Sequence, residues 1–447
     1  MAAGTPHGIR QAQPIPGLNH VIAYGQSLST GWEGWPALSL APRGDSLMLG
    51  RSVRPASESE AAFVPVGDRS LHPLAATVQD NPVGVLLSEE QVAGLPEDSV
   101  ALGETVLEGA AGAYRSALLA ARGAAMAPAR LLASACGVGG RTLEALSRGA
   151  RPELFNRLRD CVSLGKQAAA ASGQAYQVLA LLLLQGEHNS WALNGGTANR
   201  ADYRTLLVRL YHDMVAELAQ GIAGQEAPPA LFTYQTGGAY ASDELGVAMA
   251  QLDLALGLPG CFMAGPVYPV TDKGGHLDAN GYRWLGAQFG KVMHRVLTLG
   301  EVWRPLYPLS AVQRGRQVLL RLVVPAPPLA WGRPFAGHRP TDVADRGFTV
   351  ADAEGGVPVQ EVTLTGPDSV AVTLDRLPRG PATVRYADRR HGGLGALRDS
   401  DATEAQDCYV FDPLTGHRAS AEVAELVGRP YPLANWCVAF NIPIMPE

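Results

Sequence analysis

A three-layer α/β/α domain on a parallel sheet, followed by a smaller β-sandwich, is the architecture this chain predicts. Three observations lead there. Over about the first 300 residues, short apolar runs of strand length alternate with amphipathic stretches of helical period, the pattern of right-handed βαβ units. One run, Val178-Leu-Ala-Leu-Leu-Leu-Leu184, is apolar at every position, as befits a strand covered on both faces. From about Pro308 the helical period fades, and β-rich runs divided by Gly and Pro replace it. For 447 residues two domains are expected, 1–305 and 306–447, both of ordinary domain size or slightly above.

The elements follow in order. A first strand at 20–24 runs straight into Gly25-Gln26-Ser27, a loop of little bulk. Residues 31–100 are an irregular insert rich in Pro, Gly and Ser, of a length typical of lids and binding walls. A helix is read at 104–126 through Val106, Ala110, Ala113, Ala117, Leu118 and Ala121, then a strand at 130–136. Leu154, Leu158, Cys161 and Val162 place a helix at 153–172, and the most apolar strand follows at 176–184. Leu206, Leu207, Leu210, Met214 and Leu218 mark a helix at 202–220, and 231–234 a further strand. A helix at 242–257 capped by Ser242, a short strand at 260–265 and a long helix at 279–299 close the domain. In the second domain strands are read at 317–324, 347–350, 360–364, 369–374 and 382–386, and the apolar tail from Pro430 is expected to pack back onto the molecule.

Composition narrows the function. Charged residues make up 17%, below the usual share of about 25%, and 36 basic against 42 acidic residues give a net charge of −6. A protein that tracks nucleic-acid phosphates needs the opposite balance, so nucleic acid is not an expected partner. A 47% hydrophobic share excludes global disorder. Cys136, Cys161, Cys261, Cys408 and Cys437 are scattered without a CxxC pair, which signals neither a disulfide framework nor a metal site, and no cofactor is expected. No apolar run approaches the roughly 20 residues of a membrane-spanning helix. The opening MAAGTPHGIRQAQPIPG lacks the basic start and apolar core of a secretory signal, so a cytoplasmic location, or export by another route, is expected.

Acyl transfer to a serine needs a hydroxyl on a tight turn, a base for its proton and donors for the developing oxyanion. Ser27 leaves the first strand at the carboxyl edge of the sheet, where its own N–H could face an oxyanion. His276 lies in the last loop before the closing helix, which such wound sheets bring beside the first strand. Gly139-Gly-Arg-Thr142 leaves the second strand with a bare backbone, and Gln185-Gly-Glu-His-Asn189 ends the apolar strand in an abrupt polar cluster. Each signal alone also describes ordinary turns. Their order at successive strand ends carries the reading.

These segments resemble the blocks of the SGNH/GDSL hydrolases, in the branch with a GQS nucleophile block that includes sialate O-acetylesterases and acetylxylan esterases. Ile22-Ala-Tyr-Gly-Gln-Ser27, Gly139-Gly-Arg-Thr142, Gln185-Gly-Glu187 and His276-Leu-Asp-Ala-Asn-Gly-Tyr282 match its blocks in order. The resemblance implies a flavodoxin-like sheet, Ser27 as nucleophile, His276 as base, and an oxyanion hole from Ser27 N–H, Gly140 N–H and the Gln185 side chain. Gln26, Glu187, Trp32, Tyr234 and Gln235 are expected to line the substrate cleft. This chain departs from the pattern where Leu28 replaces an asparagine and where His188 and Asn189 follow the QGE block. The family's acid stands three positions before the histidine, where Lys273 stands here. Asp272 is therefore assigned to orient His276, with Glu187, Asp278 or a backbone carbonyl as alternatives. The implied activity is removal of a short acyl group, acetyl above all, from a carbohydrate or glycan ester. A glycan-binding protein without catalysis and a lipase or thioesterase of the same superfamily are the competing readings.

Overall fold

The computed structural model of the chain describes residues 11–447 except Ser59, Pro82 and residues 412–422, so most of the stretch read for an export signal lies outside the described residues. Strands β1 (Gly17–Gly25), β2 (Leu47–Leu49), β3 (Leu71–Pro73), β4 (Ala129–Ala135), β5 (Tyr176–Leu184), β6 (Ala230–Gln235) and β7 (Cys261–Pro266) form one sheet of order β3-β2-β4-β1-β5-β6-β7. All pairings in it are parallel except β2 with β3. The five longer strands, counted among themselves, run 2-1-3-4-5, the flavodoxin-like order whose ligand crevice opens where the winding reverses, beside β1 and β5. The expected strands and helices of this domain are present; β2 and β3 were not foreseen, being three residues each inside a Pro- and Gly-rich insert.

Helices α1 (Glu89–Ala93), α2 (Val106–Arg122), α3 (Leu143–Leu146), α4 (Asn156–Ala171), α5 (Glu187–Ser190), α6 (Arg200–Met214), α7 (Gly246–Gly257) and α8 (Ala279–Met293) connect and cover these strands. Side chains of β1 alternate between the two covering layers: Val21 and Ala23 face the layer of α2 and α8, Ile22 and Tyr24 that of α4 and α6. Local chemistry starts the helices where they start. Thr105 and Glu108 form a capping box on α2, Asn199 caps α6 and Asp278 caps α8. Ser242 stands ahead of α7 rather than capping it, accepting from the N–H of Leu245, whose φ of +55° sets the turn into the helix.

α7 is apolar around most of its circumference and is buried accordingly. Val247, Ala250 and Leu254 pack on the sheet, while Ala248, Met249 and Leu252 enter the core of the second domain. That domain comprises β8 (Tyr307–Arg314), β9 (Gln317–Val323), β10 (Leu329–Trp331), β11 (Phe348–Asp352), β12 (Gly355–Val357), β13 (Val359–Gly366), β14 (Ser369–Leu374), β15 (Ala382–Tyr386), β16 (Leu397–Asp399), β17 (Glu404–Cys408), β18 (Pro430–Pro432) and β19 (Phe440–Pro446). Eight of these strands make one sheet of order β12-β11-β15-β19-β8-β9-β14-β13, antiparallel apart from β19 with β8, and it curls until it is nearly closed. Its interior is filled by Val318, Leu320, Val350, Val372, Tyr386 and Phe440.

The tail packs back as expected, β19 within the sheet of the second domain and the segment around β18 on the α/β domain. Pro432 O of β18 accepts from Trp284 Nε1 of α8 at 2.8 Å, and Cys408 O of β17 accepts from Arg283 at 2.7 Å. Lys291 of α8 is buried beneath this segment, donating to Asp401, Asn435 and the Leu433 carbonyl; burial pushes its pKa down to about 8. Among the described residues no helix is long and apolar enough to cross a membrane.

α2 and α8 touch through glycines. A Cβ on Gly286 would lie 2.4 Å from Val106 O, whereas one on Gly112, in the same α2, would meet nothing within 4 Å. Gly286→Ala is expected to lower stability by about 1–3 kcal/mol through forced separation of the helices. Gly112→Ala should raise it by up to about 1 kcal/mol through helix propensity. Urea denaturation of both variants checks the pair.

Candidate active site

The carboxyl ends of the parallel strands meet in a cleft of about 230 Å³ whose lining includes Gln26, Ser27, Trp32, Gly140, Glu187, His188 and His276. Gly25 (φ +145°) lets the chain leave β1 sharply, because a Cβ there would lie 1.9 Å from Leu184 O of β5. Ser27 then opens a single helical turn, Ser27–Ser29, and its carbonyl accepts from Thr30 N and Thr30 Oγ1. The turn fixes where the hydroxyl points. Ser27 Oγ stands 2.8 Å from His276 Nε2.

The loop that carries His276 is held on several sides. Lys273 N donates to His276 O at 2.7 Å, and Lys273 Nζ donates to Trp35 O from above the Trp35 ring. From the second domain, Gly337 N donates to Asp272 Oδ1 at 3.3 Å and His338 Nε2 lies 2.6 Å from Asp278 Oδ2. Asp278 also accepts from Thr271 Oγ1 and from Gly281 N, the capping bond of α8. Burial works against its ionised form, but the His338 partnership and these donors prevail and hold its carboxyl below the usual range.

Asp272 does not reach His276. Displaced by one residue from the family's acid position, it turns outward to accept from Gly274 N at 2.7 Å and from Gly337 N, and burial pushes its carboxyl up. Asp278 is spent on the α8 cap and His338. Glu187 lines the cleft, yet its Oε2 accepts from the Tyr234 hydroxyl, and burial raises its carboxyl towards the neutral form. The carboxylate that faces His276 is Glu33, with Oε2 at 3.6 Å from Nδ1. Sequence reading missed it because it stands in the irregular insert, outside any block; nearness to Ser27 in the chain was the only available signal.

Gln185 is likewise placed elsewhere than expected. It is wholly buried, with Nε2 donating to Asn189 Oδ1 at 2.6 Å and to Arg141 O at 3.2 Å, while Oε1 accepts from the Tyr203 hydroxyl. Both ends of its amide serve the fold beneath the cleft. Two backbone donors remain at the cleft: among the described residues neither Ser27 N–H nor Gly140 N–H bonds to protein, whereas Gly139 N–H is taken by Glu58 at 2.8 Å. Gly140 adopts φ +60°, which suits glycine.

Gln26 borders the cleft and ties two strand ends together, its Oε1 accepting from His188 N at 3.0 Å and Gly186 N at 3.3 Å. Tyr234 and Gln235 do not line the cleft. Tyr234 is buried behind Glu187, and Gln235 joins Ala248 of α7 to Ala439 beside β19. Trp32 does border it, its ring centroid 5.8 Å from that of His276. Trp35 instead packs inside the insert with Ala37, Ala76, Val78, Val92 and Ala101. On the opposite rim Trp191, half exposed, packs against Tyr240 at 5.2 Å between centroids.

No protein-family model matches the sequence, and no curated protein matches it. Among solved structures, a carbohydrate acetylesterase from Xanthomonas citri is similar with a TM-score of 0.53 and 14% identity, over 95% of this chain and 80% of that one. A protein from Arabidopsis thaliana (TM-score 0.39, 17% identity) and a carbohydrate acetylesterase from Sinorhizobium meliloti (0.30, 14%) each match 62% of this chain and 99% of their own. The likeness to the Xanthomonas citri protein is one of fold: the chain shares the architecture of that acetylesterase.

The Asp278–His338 contact gives a stability test. Because the carboxyl is held below its ordinary value in the folded state, its contribution is complete above the unfolded carboxylate range, about pH 4, and is lost as pH falls through the lowered value. Asp278→Asn keeps a capping side chain but is expected to cost about 1–3 kcal/mol at pH 7. The gap from the parent protein should narrow as pH drops below about 4, as urea midpoints across a pH series would reveal.

Proposed function

We propose that this protein is a serine esterase that removes a short acyl group, acetyl above all, from a carbohydrate hydroxyl. The observation that carries this reading is the 2.8 Å contact of Ser27 Oγ with His276 Nε2 at the floor of a cleft. In the proposed course, Ser27 Oγ attacks the ester carbonyl as its proton passes to His276 Nε2. The tetrahedral oxyanion meets Ser27 N–H and Gly140 N–H, which stand preorganised and unspent. His276 returns the proton to the departing sugar oxygen, leaving an acyl-Ser27. Water then attacks the acyl carbon as its proton passes to His276 Nε2; the bond from that carbon to Ser27 Oγ breaks, His276 returns the proton to Ser27 Oγ, and the acid leaves.

A cleft of about 230 Å³ falls below the roughly 300–1,000 Å³ of pockets that enclose drug-sized ligands. That size, with Gln26, Glu187 and His188 on its walls, favours a short acyl group over the long chain of a lipase substrate. The carbohydrate part of the reading is supported by the aromatic rim of Trp32, Trp191 and Tyr240, whose faces suit the C–H face of a sugar ring.

Ser27→Ala and His276→Ala are each expected to lower kcat/KM on p-nitrophenyl acetate by about 10³-fold or more, and the double variant by little beyond either single one, because the two act as a unit. Full turnover by Ser27→Ala would sink the reading. For the rim, Trp191→Ala should raise KM about 10-fold on acetylated oligosaccharides while changing p-nitrophenyl acetate hydrolysis less than 2-fold, as a lost stacking contact of about 1–2 kcal/mol predicts. Equal effects on both substrates would remove the sugar from the proposal.

A further inference from the structure

We infer that Glu33, supplied by the insert rather than by the histidine loop, is the positioning residue for His276. The inference rests on the serine-esterase reading for its role in turnover, and on geometry for the contact itself. Among the described residues Glu33 has the one carboxylate within 4.0 Å of His276. Asp272 bonds Gly274 and Gly337, and Asp278 bonds Thr271, Gly281 and His338; Glu187 bonds Tyr234 through Oε2, and its Oε1, though without a hydrogen-bond partner among the described residues, forms no ion pair with His276 within 4.0 Å. Among the described residues Glu33 makes no hydrogen bond through its side chain, so its carboxylate is available to the imidazole.

The backbone is built to hold it there. Glu33 adopts φ +61°, a region that costs a side-chain-bearing residue energy and persists only where the surroundings impose it. Those surroundings are visible. Glu33 N donates to Ala101 O at 3.1 Å, Trp32 bridges to Leu102, Tyr282 of α8 donates its hydroxyl to Trp32 O at 2.9 Å, and Glu104 N donates to Gly34 O at 2.7 Å. Beneath the loop Arg54, wholly buried, donates from one nitrogen to both Thr30 O and Gly103 O, clamping its two sides. A Cβ on Gly103 would lie 2.0 Å from Gly34 O, so the two backbone segments run in close contact beside Glu33. The Trp32 ring backs the imidazole from the same loop.

In this arrangement Glu33 Oε2 faces Nδ1 of His276 and favours the imidazole tautomer that carries its proton there. In that tautomer Nε2 is free to take the Ser27 proton, and the carboxylate stabilises the imidazolium formed during attack. At 3.6 Å the contact is longer than a hydrogen bond, as catalytic contacts commonly are before substrate closes the site. Ser27 and Glu33 thus come from one loop after β1, and the histidine loop supplies the base alone. No acid is then needed at the position where Lys273 stands.

The full-length protein tests this with Glu33→Gln, Glu33→Ala and Asp272→Asn on p-nitrophenyl acetate, together with ¹H NMR of the His276 Nδ1–H proton. Glu33→Gln is expected to lower kcat about 10²–10⁴-fold with KM changed less than 3-fold. Formate should restore part of the kcat of Glu33→Ala by filling the vacated carboxylate position. A downfield Nδ1–H resonance, assigned by its loss in His276→Asn, should be present in the parent protein and move upfield in Glu33→Gln. Three results would each overturn the inference: kcat of Glu33→Gln within 3-fold of the parent, a larger kcat loss in Asp272→Asn than in Glu33→Gln, or an Nδ1–H resonance unmoved by Glu33→Gln. Should Glu33→Ala fail to fold, the isosteric Glu33→Gln carries the test. If the parent protein and Ser27→Ala are equally inactive, the esterase reading fails while the resonance still decides the Glu33 contact.

Discussion

The hydrogen bond between Ser27 Oγ and His276 Nε2 joins the loop after the first strand to the loop after the last strand of the α/β sheet, and much of the molecule serves that meeting. An exposed pair of loops could not hold a 2.8 Å contact against thermal motion. Here each loop is braced from outside. Arg54, buried deeply enough for its guanidinium to be pushed down to about 10, holds the serine side through Thr30 O. The second domain holds the histidine side through Gly337 and His338, and the insert joins the two through Lys273 and the Trp35 carbonyl. The insert and the β domain are therefore parts of the site's framework, whatever either does with a substrate.

Below the cleft lies a layer of buried amides with a common physical logic. Strands that end in polar residues at a sheet edge leave backbone groups that must find partners once water is excluded. Gln26 receives the N–H groups that open α5, Gln185 joins Asn189 to Tyr203, and Gln251 receives Thr236 N while donating to Gln185 O. Gln235 bonds both Ala439 N and Ala439 O, tying β6 to the second domain. Each satisfied amide removes a penalty of about 1–3 kcal/mol that an orphaned buried group would incur. A glutamine at a strand end is thus as readily a structural fastener as a participant in chemistry, and a side chain can serve as an oxyanion donor only if its N–H is not already committed.

Legibility in the sequence followed the range of the forces involved. β5 was readable to the residue because its seven consecutive aliphatic positions answer to one local condition, burial on both faces. α2 was readable from its helical period, whereas its cap at Thr105 and that of α8 at Asp278 emerged only in the structure. β2, β3 and β8 were not: the first two are three-residue strands whose only reason to be strands is an open sheet edge supplied from elsewhere in the chain. β8 pairs with β9 and β19, and without those partners Tyr-Pro-Leu-Ser-Ala-Val-Gln-Arg has no clear alternation of polar and apolar residues. At the site, Ser27, Gly140, His276, Gln26, Trp32 and Glu187 do gather around one cleft. Asp272, Gln185, Tyr234 and Gln235 stand away from it or beneath it, because their polar atoms meet nearer partners first.

The amino-acid sequence by itself determined the order of the five longer strands and the main helices between them, the wound sheet that order entails, and the serine and histidine whose strand ends that sheet brings to one edge. Those features depend on periodicity, capping and chain connectivity, all of which act over short stretches of chain. Which carboxylate faces the histidine, and which of several glutamines has free hydrogens, was decided only by the tertiary structure. These are outcomes of competition for partners among groups distant in sequence. A displacement of one residue turned Asp272 towards Gly274 and Gly337, and a strained turn in the insert brought Glu33 to the imidazole in its place.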